Sequence, residues 1–362
     1  MKRDDTYAII LAGGRGERFW PMSTARTPKQ LLSLVGEKAM IAEAVERLEP
    51  LMPVDRVFII TSSDLVQPTC DALPSFPVEN IIGEPFRRDT AAAVALGCAI
   101  IKNKNPNAVF CVMTADHVIG RTDVFSKNLG DALCVAAAND VLITIGIQPV
   151  FPSTGFGYIE AGEKRETGTD TEFYAAKRFV EKPDRQTAVE YMESGSFYWN
   201  SGMFVWSVKA LESALSKHAP QLVEMMNAVA PAVAGGTLGE TLEAEYDKLD
   251  KISIDYALME KADNIIMGAG EFEWDDVGTW LALENHFASD EDGNIKIGNC
   301  ESIESRGNIM VSDDDLIAVV GVDNLVVVKA HGALLICPKD RAQDVKKMVQ
   351  HLSLKSEYKG LL

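Results

Sequence analysis

Residues 11–30 of this 362-residue chain, Leu-Ala-Gly-Gly-Arg-Gly-Glu-Arg-Phe-Trp-Pro-Met-Ser-Thr-Ala-Arg-Thr-Pro-Lys-Gln, bring three glycines and four cations into one short segment. Glycine lets backbone N–H groups approach a phosphate chain closely, and Arg15, Arg18, Arg26 and Lys29 supply charge to neutralise it. Two familiar phosphate-binding patterns are excluded. A P-loop ends in Gly-Lys-Ser/Thr, and no such tripeptide follows Gly16. A dinucleotide fingerprint needs a third glycine where Phe19 stands. Glycine spacing alone also fits a tight turn, so the signal is the whole string. Two further segments carry polar groups of interest: Glu84-Pro85-Phe86-Arg87-Arg88-Asp89-Thr90-Ala91 and Met113-Thr114-Ala115-Asp116-His117. The plain reading of Asp89 or Thr90 is a helix cap, and that of Asp116 a turn residue.

These segments need elements to hold them. Tyr7–Leu11 reads as a buried strand running into the glycine-rich loop, and Val57–Thr61, Ala108–Met113 and Val141–Gly146 are further apolar, β-branched-rich strands. Met40–Leu48, Thr90–Lys102 and Val124–Ala138 have helical apolar spacing. The alternation predicts an α/β fold: a mixed, mostly parallel sheet flanked by helices, with ligands at the carboxyl ends of the strands. Gly13–Gly16 and Asp116 both occupy such ends. Beyond Gly155 the pattern is less regular; Lys209–Leu215, Gln221–Val229 and Leu242–Leu249 read as helices, and Ala230–Gly239 as a linker-like surface loop. From about Asn294, strand-sized pieces at Ile295–Ile297, Asn308–Val311, Leu316–Val320, Leu325–Val328 and Ala333–Ile336 follow one another between turn residues. They predict a few β-helical coils or a small packed sheet, closed by a helix over about Lys339–Leu352.

A net charge of −18 with no basic stripe argues against nucleic acid as a partner. Six scattered cysteines without a Cys-x-x-Cys pair read as reduced thiols of a cytoplasmic protein, not a disulfide frame or zinc site. No apolar run reaches membrane-spanning length, and the charged start Met1–Asp5 leaves no room for a signal peptide, so no membrane partner is expected.

The string Gly13-Gly14-Arg15-Gly16-Glu17-Arg18-Phe19-Trp20-Pro21-Met22-Ser23, followed by Pro28-Lys29-Gln30, resembles the N-terminal signature of the sugar-1-phosphate nucleotidyltransferases, most closely the mannose-1-phosphate guanylyltransferases. Phe19 replaces the usual Leu. The resemblance extends through Glu84–Ala91, where Ala92 replaces a frequent Pro, and through Trp274-Asp275-Asp276-Val277-Gly278-Thr279-Trp280. It also covers Thr154–Glu160, Phe179–Asp184, Trp199–Phe204 and Ser253–Glu260.

The resemblance implies transfer of a guanylyl group from GTP to mannose 1-phosphate. It places Leu11, Ala12, Gly13, Gly14, Gly16, Glu84, Arg88, Asp89 and Thr90 on the nucleotide, and Arg18 and Lys29 on the triphosphate. Asp116 and Asp276 would jointly hold Mg2+, with Asp275 the neighbour to be distinguished from the ligand, while His117 orients the site, binds phosphate or is structural. Gly157, Glu181, Lys182 and Asn200 would line the hexose 1-phosphate, with Lys182 on its phosphate. Ser253–Glu260 reads as a helix whose start packs near the site, more structural than catalytic. A catalytic domain over 1–288, a left-handed β-helix-like tail over 289–362, and a homodimer follow from the same resemblance. The isomerase domain of many bacterial relatives is not expected. The alternatives are the same chemistry on another nucleotide and hexose 1-phosphate, a non-catalytic nucleotide-sugar sensor, or, less compatible with Phe19, a Rossmann oxidoreductase.

Overall fold

The computed structural model describes residues 5–362; the start Met1–Asp4, used above to argue against a signal peptide, lies outside them. The chain divides into two compact units that interleave along the sequence. Among the described residues the first contains 5–13, 44–115 and 119–274; the second contains 14–43, 116–118 and 275–362.

The first unit is built on nine strands among the described residues: β1 (Thr6–Leu11), β2 (Val57–Ser62), β3 (Ile81–Glu84), β4 (Val109–Thr114), β5 (Leu142–Ile147), β6 (Tyr158–Arg165), β7 (Phe173–Val180), β8 (Phe197–Ser207) and β9 (Ile265–Gly270). They form one sheet in the order β3-β2-β1-β4-β8-β5-β9-β7-β6. The half that carries the glycine-rich loop is parallel, with β1 paired to β2 and β4. The other half is mixed, since β8 runs antiparallel to both β4 and β5. β1, β2 and β5 are buried almost throughout, as continuous apolar runs covered on both faces should be.

Thr90–Lys104 is apolar around its whole circumference and is buried from Ala91 to Ile101. It packs against the helix Pro220–Gly235. That second helix corrects the linker reading of Ala230–Gly239. The helix continues through Pro231 to Gly235, capped by Gly236 at φ 72°, and the next begins at Leu238. The buried face of Leu222, Met225, Met226, Val229 and Ala232 outweighs the one hydrogen bond that proline removes.

The second unit holds β10 (Ile295–Ile297), β11 (Cys300–Ile303), β12 (Ile309–Ser312), β13 (Ile317–Val320), β14 (Leu325–Ala330) and β15 (Ala333–Pro338). Two parallel ladders stack successive coils: β10-β12-β14, closed by antiparallel β15, and β11-β13. A helix, Val345–Ser353, follows. Strand β11 was not anticipated, because Cys-Glu-Ser-Ile alternates buried and exposed positions over only four residues. Phe19, Trp20, Leu32 and Leu34 of the loop segment share a core with Val277, Trp280, Ile309, Val311, Val326 and Val328.

Candidate active site

In the second unit, the loop after Gly14 folds back onto Lys29. Gly16 has φ +63°, and a Cβ there would lie 2.4 Å from the Lys29 Cβ and 2.8 Å from its backbone nitrogen. Only glycine meets both demands. The Gly16 carbonyl accepts from the Ser23 hydroxyl at 2.6 Å, and the Gln30 amide donates to the Gly14 carbonyl at 3.1 Å. These contacts give the Gly-x-Gly and Pro-Lys-Gln strings one folded purpose.

Lys29 is buried. Its ammonium donates to the Asp116 carbonyl at 2.7 Å, to Asp116 Oδ2 at 3.0 Å and to the Asp276 carbonyl at 2.6 Å. All three N–H groups therefore have protein acceptors. The resemblance places Lys29 on the triphosphate; in the structure its ammonium meets Asp116 and the Asp276 carbonyl. Burial raises the Asp116 carboxyl, but the Lys29 and His117 charges and the Lys29 hydrogen bond prevail and hold it below the ordinary range. Asp276 goes the other way. Burial pushes it up to about 6, opposed by Lys29, reinforced by the Asp275 and Asp116 charges, and again opposed by Arg18. Arg18 itself is exposed.

Asp275 is held inside its turn. It accepts from the Val277 N–H at 2.7 Å and from the Asn285 amide at 2.8 Å, and it faces His286 Nε2 at 3.0 Å. Val277 is fully buried at φ 45°, a left-handed conformation that β-branched residues rarely adopt. Core packing of Val277 and Trp280 overrides that preference and sets the turn presenting Asp276.

The other candidate residues lie in the first unit. Leu11 and Ala12 are tied to the sheet by their carbonyls, which accept from the Ala115 N–H and the Thr61 hydroxyl, both at 3.0 Å. Gly13 follows; a Cβ there would sit 3.9 Å from Glu84 Oε2. Glu84 is only 7% exposed, at the end of β3, and accepts from the Tyr246 hydroxyl at 3.0 Å. Burial drives its pKa up to about 7 despite that bond. Arg88 donates to the carbonyls of Tyr246 and Asp247 at 2.8 and 3.1 Å. Asp89, at φ 69°, caps the following helix through the Thr90 N–H. The Thr90 hydroxyl accepts from the Ile254 N–H at 2.9 Å. The bonds of Arg88 and Thr90 thus stitch this turn to segment 246–254, while Asp89 secures the helix start.

A second group gathers around β6, β7 and β8. The Gly157 carbonyl accepts from the Asn200 N–H at 2.8 Å. A Cβ on Gly157 would come 2.5 Å from Glu181 Oε2, so glycine makes room for that carboxylate. Lys182 donates to Glu181 Oε1 at 2.5 Å. The Asn200 amide donates to Asp255 Oδ1 at 3.0 Å. Burial, then the Glu181 charge, pushes Asp255 up to about 6. Asp255 and Tyr246 were not singled out from the sequence. Asp255 is in the Ser253–Glu260 string, whose start the sequence reading puts near the site without giving the residue a role; the structure makes Asp255–Met259 a single π-helical turn. Such turns recur at functional sites.

The fold and these clusters are those of a nucleotide-transferring enzyme. The chain belongs to the nucleotidyl transferase family, whose model matches residues 7–293, and residues 298–352 match the MannoseP isomerase/GMP-like beta-helix domain. Within that family its relatives include a mannose-1-phosphate guanylyltransferase from Klebsiella pneumoniae, 38% identical over 97% of this chain and 75% of that protein. Another, from Escherichia coli K12, is 33% identical over 97% of this chain and 74% of its own length. A crystal structure of a Thermus thermophilus protein, described as a mannose-1-phosphate geranyltransferase, superposes with a TM-score of 0.83 at 34% identity, covering 96% of this chain and 99% of that one.

Proposed function

We infer that this protein catalyses guanylyl transfer from GTP to mannose 1-phosphate, releasing GDP-mannose and diphosphate. The observation that carries the reading is the Lys29 ammonium, which joins the Asp116 and Asp276 segments at one point beside the glycine-rich loop. The full-length likeness to guanylyltransferases selects the substrates.

In the proposed reaction, a phosphate oxygen of mannose 1-phosphate attacks the α-phosphorus of GTP in line. The bond from that phosphorus to the bridging oxygen breaks, and diphosphate leaves with the electron pair. The attacking phosphate is already ionised near neutral pH, so no general base is required. Catalysis rests on holding two anions together and neutralising charge that develops between them. Arg18 and the loop from Leu11 to Gly16 take the triphosphate. Lys29 contributes charge from its buried position and fixes the aspartates. Glu84 and the Arg88–Thr90 turn take the base, and Gly157, Glu181, Lys182 and Asn200 take the sugar phosphate.

Asp116 and Asp276 suit Mg2+: both are hard oxygen donors, and Asp276 carries a raised pKa that a neighbouring cation would relieve. Among the described residues no group of three or more His, Cys, Asp or Glu side chains is placed to hold a metal, so phosphate oxygens and water would fill the further positions. When bound, Mg2+ would supply Lewis-acid charge neutralisation at the phosphates. The six cysteines are free thiols, which supports the cytoplasmic placement. No helix among the described residues is long and apolar enough to cross a membrane. Ile303, Val320, Leu334 and Ile336, each more than half exposed on strands of the second unit, support a homodimer.

The test is diphosphate release from GTP with and without mannose 1-phosphate, Mg2+ and EDTA. Release only when all substrates and Mg2+ are present is the expected result. Full activity in excess EDTA removes the metal from the proposal, and a panel of nucleoside triphosphates and hexose 1-phosphates exposes any other substrate pair.

A further inference from the structure

We propose that Asp255 is a positioning residue of the hexose 1-phosphate subsite: its carboxylate locks the Asn200 amide so that one defined N–H is left for the sugar. This rests on the guanylyltransferase reading above and names a residue that the reading does not require.

Hydrogen-bond capacity fixes the orientation of Asn200. A primary amide offers two N–H donors and an oxygen with two acceptor sites. The Asn200 oxygen accepts from the Gly202 N–H at 3.2 Å and from the buried Thr144 hydroxyl at 3.0 Å, the shorter of that hydroxyl's two contacts, the other being the Met203 carbonyl at 3.4 Å. One Asn200 N–H donates to Asp255 Oδ1 at 3.0 Å. A carboxylate cannot donate and a backbone N–H cannot accept, so the amide nitrogen must face Asp255 and the oxygen must face Gly202, with Thr144 on the same side. One N–H remains. It can only donate, so the sugar oxygen it meets serves as acceptor.

The backbone prepares this arrangement. Register between β5 and β8 shifts between Thr144 and Gly146, where Gly146 pairs with Asn200 and Thr144 with Phe204. The irregularity, with Gly202 at φ 71°, turns the Gly202 N–H back toward the Asn200 side chain. Asp255 is anchored independently. The Ile252 N–H donates to the Arg88 carbonyl at 3.2 Å, the Ala91 N–H to the Ile252 carbonyl at 3.3 Å, and the Ile254 N–H to Thr90 Oγ1 at 2.9 Å. The residue is therefore delivered to Asn200 by a strap held on the start of the helix Thr90–Lys104 and the turn before it. Glu181 and Lys182 are the charged side chains that act on Asp255.

The test compares steady-state constants of Asp255→Ala, Asp255→Asn and Thr144→Val in the full-length protein. Losing a hydrogen bond to a charged acceptor shifts affinity by roughly tenfold. D255A should raise KM for mannose 1-phosphate by about that factor, with KM for GTP unchanged. D255N keeps an acceptor oxygen and should recover most of the loss. T144V, which removes one of the two donors on the oxygen of the same amide, should raise the sugar-phosphate KM alone. Equal rises in both KM values, no recovery in D255N, or an unchanged sugar-phosphate KM in T144V would overturn the proposal. T144V decides the matter if D255A fails to fold. Should the wild-type protein not use mannose 1-phosphate, the substrate reading fails separately, and the variants are measured with whichever hexose 1-phosphate the panel identifies.

Discussion

Lys29 is 5% exposed, and its ammonium is enclosed by three oxygens from two distant segments. A buried cation with complete partners organises its surroundings; without it, Asp116 and Asp276 would keep only the His117 and Arg18 charges against their own repulsion. Lys29→Met should therefore lower the rate of diphosphate release by roughly 10²–10³. Lys29→Arg should not restore it, because a planar guanidinium cannot aim three donors as a tetrahedral ammonium does. Near-normal turnover in either variant contradicts the assignment. Glu84 gives a second residue-level expectation. Its folded pKa, about 7, lies above the ordinary 4.5, so the native state retains a proton that the unfolded chain has released. Stability from this group is greatest below about pH 4.5, falls as pH rises toward 7, and is level above it. The ionised side chain costs ~3 kcal/mol at pH 8 by the same linkage. Glu84→Gln should remove that slope. Chemical denaturation at pH 5 and pH 8 measures it, and parallel pH profiles for wild type and E84Q would refute it.

At the scale of elements, the loop from Gly14 to Lys29 is shaped by backbone approach more than by side chains. Gly16→Ala brings a Cβ to 2.4 Å from Lys29 and strains a residue already at φ +63°. We expect a loss of roughly 1–3 kcal/mol in stability and a fall in kcat/KM resembling that of Lys29→Met, since the same lysine moves. Calorimetry together with diphosphate release checks both; wild-type values in G16A would show that the loop tolerates a Cβ. Elements also set how far local patterns could be read. Thr90–Lys104 is legible because its apolar residues fill the whole circumference. Proline and paired glycines made 230–239 resemble a linker, whereas tertiary burial of one face kept most of it helical. The π-turn at Asp255–Met259 has no sequence period of its own, which hid Asp255.

For the whole molecule, the decisive feature is interleaving. Segment 14–43 belongs to the same compact unit as 275–362. Phe19, Trp20, Leu32 and Leu34 share a core with the β-helical coils, and the Trp20 indole donates to the Leu361 carbonyl at 2.8 Å. Removing 289–362 should therefore leave the phosphate loop only Val277, Trp280 and Leu283 of this core, without the partners that the coils supply. A chain of residues 1–288 is expected to lose GTP binding and diphosphate release, and calorimetric titration with GTP reads this directly. Retained GTP affinity in that chain would show that the loop folds without the tail.

Local order was readable wherever period and chemistry coincide: the apolar strands ending in a glycine-rich, cationic loop, the alternation that makes an α/β sheet, and the ordered strings that mark the family. Those depend on neighbours in sequence, through side-chain alternation and turn-forming residues. What depended on the tertiary structure was partnership. Lys29 is drawn to Asp116 and Asp276, Glu84 is buried against Tyr246, and Asn200 is held by Asp255 and Thr144. Hydrogen-bond capacity and desolvation act between groups that only folding brings together, so no spacing along the chain encodes which of them meet.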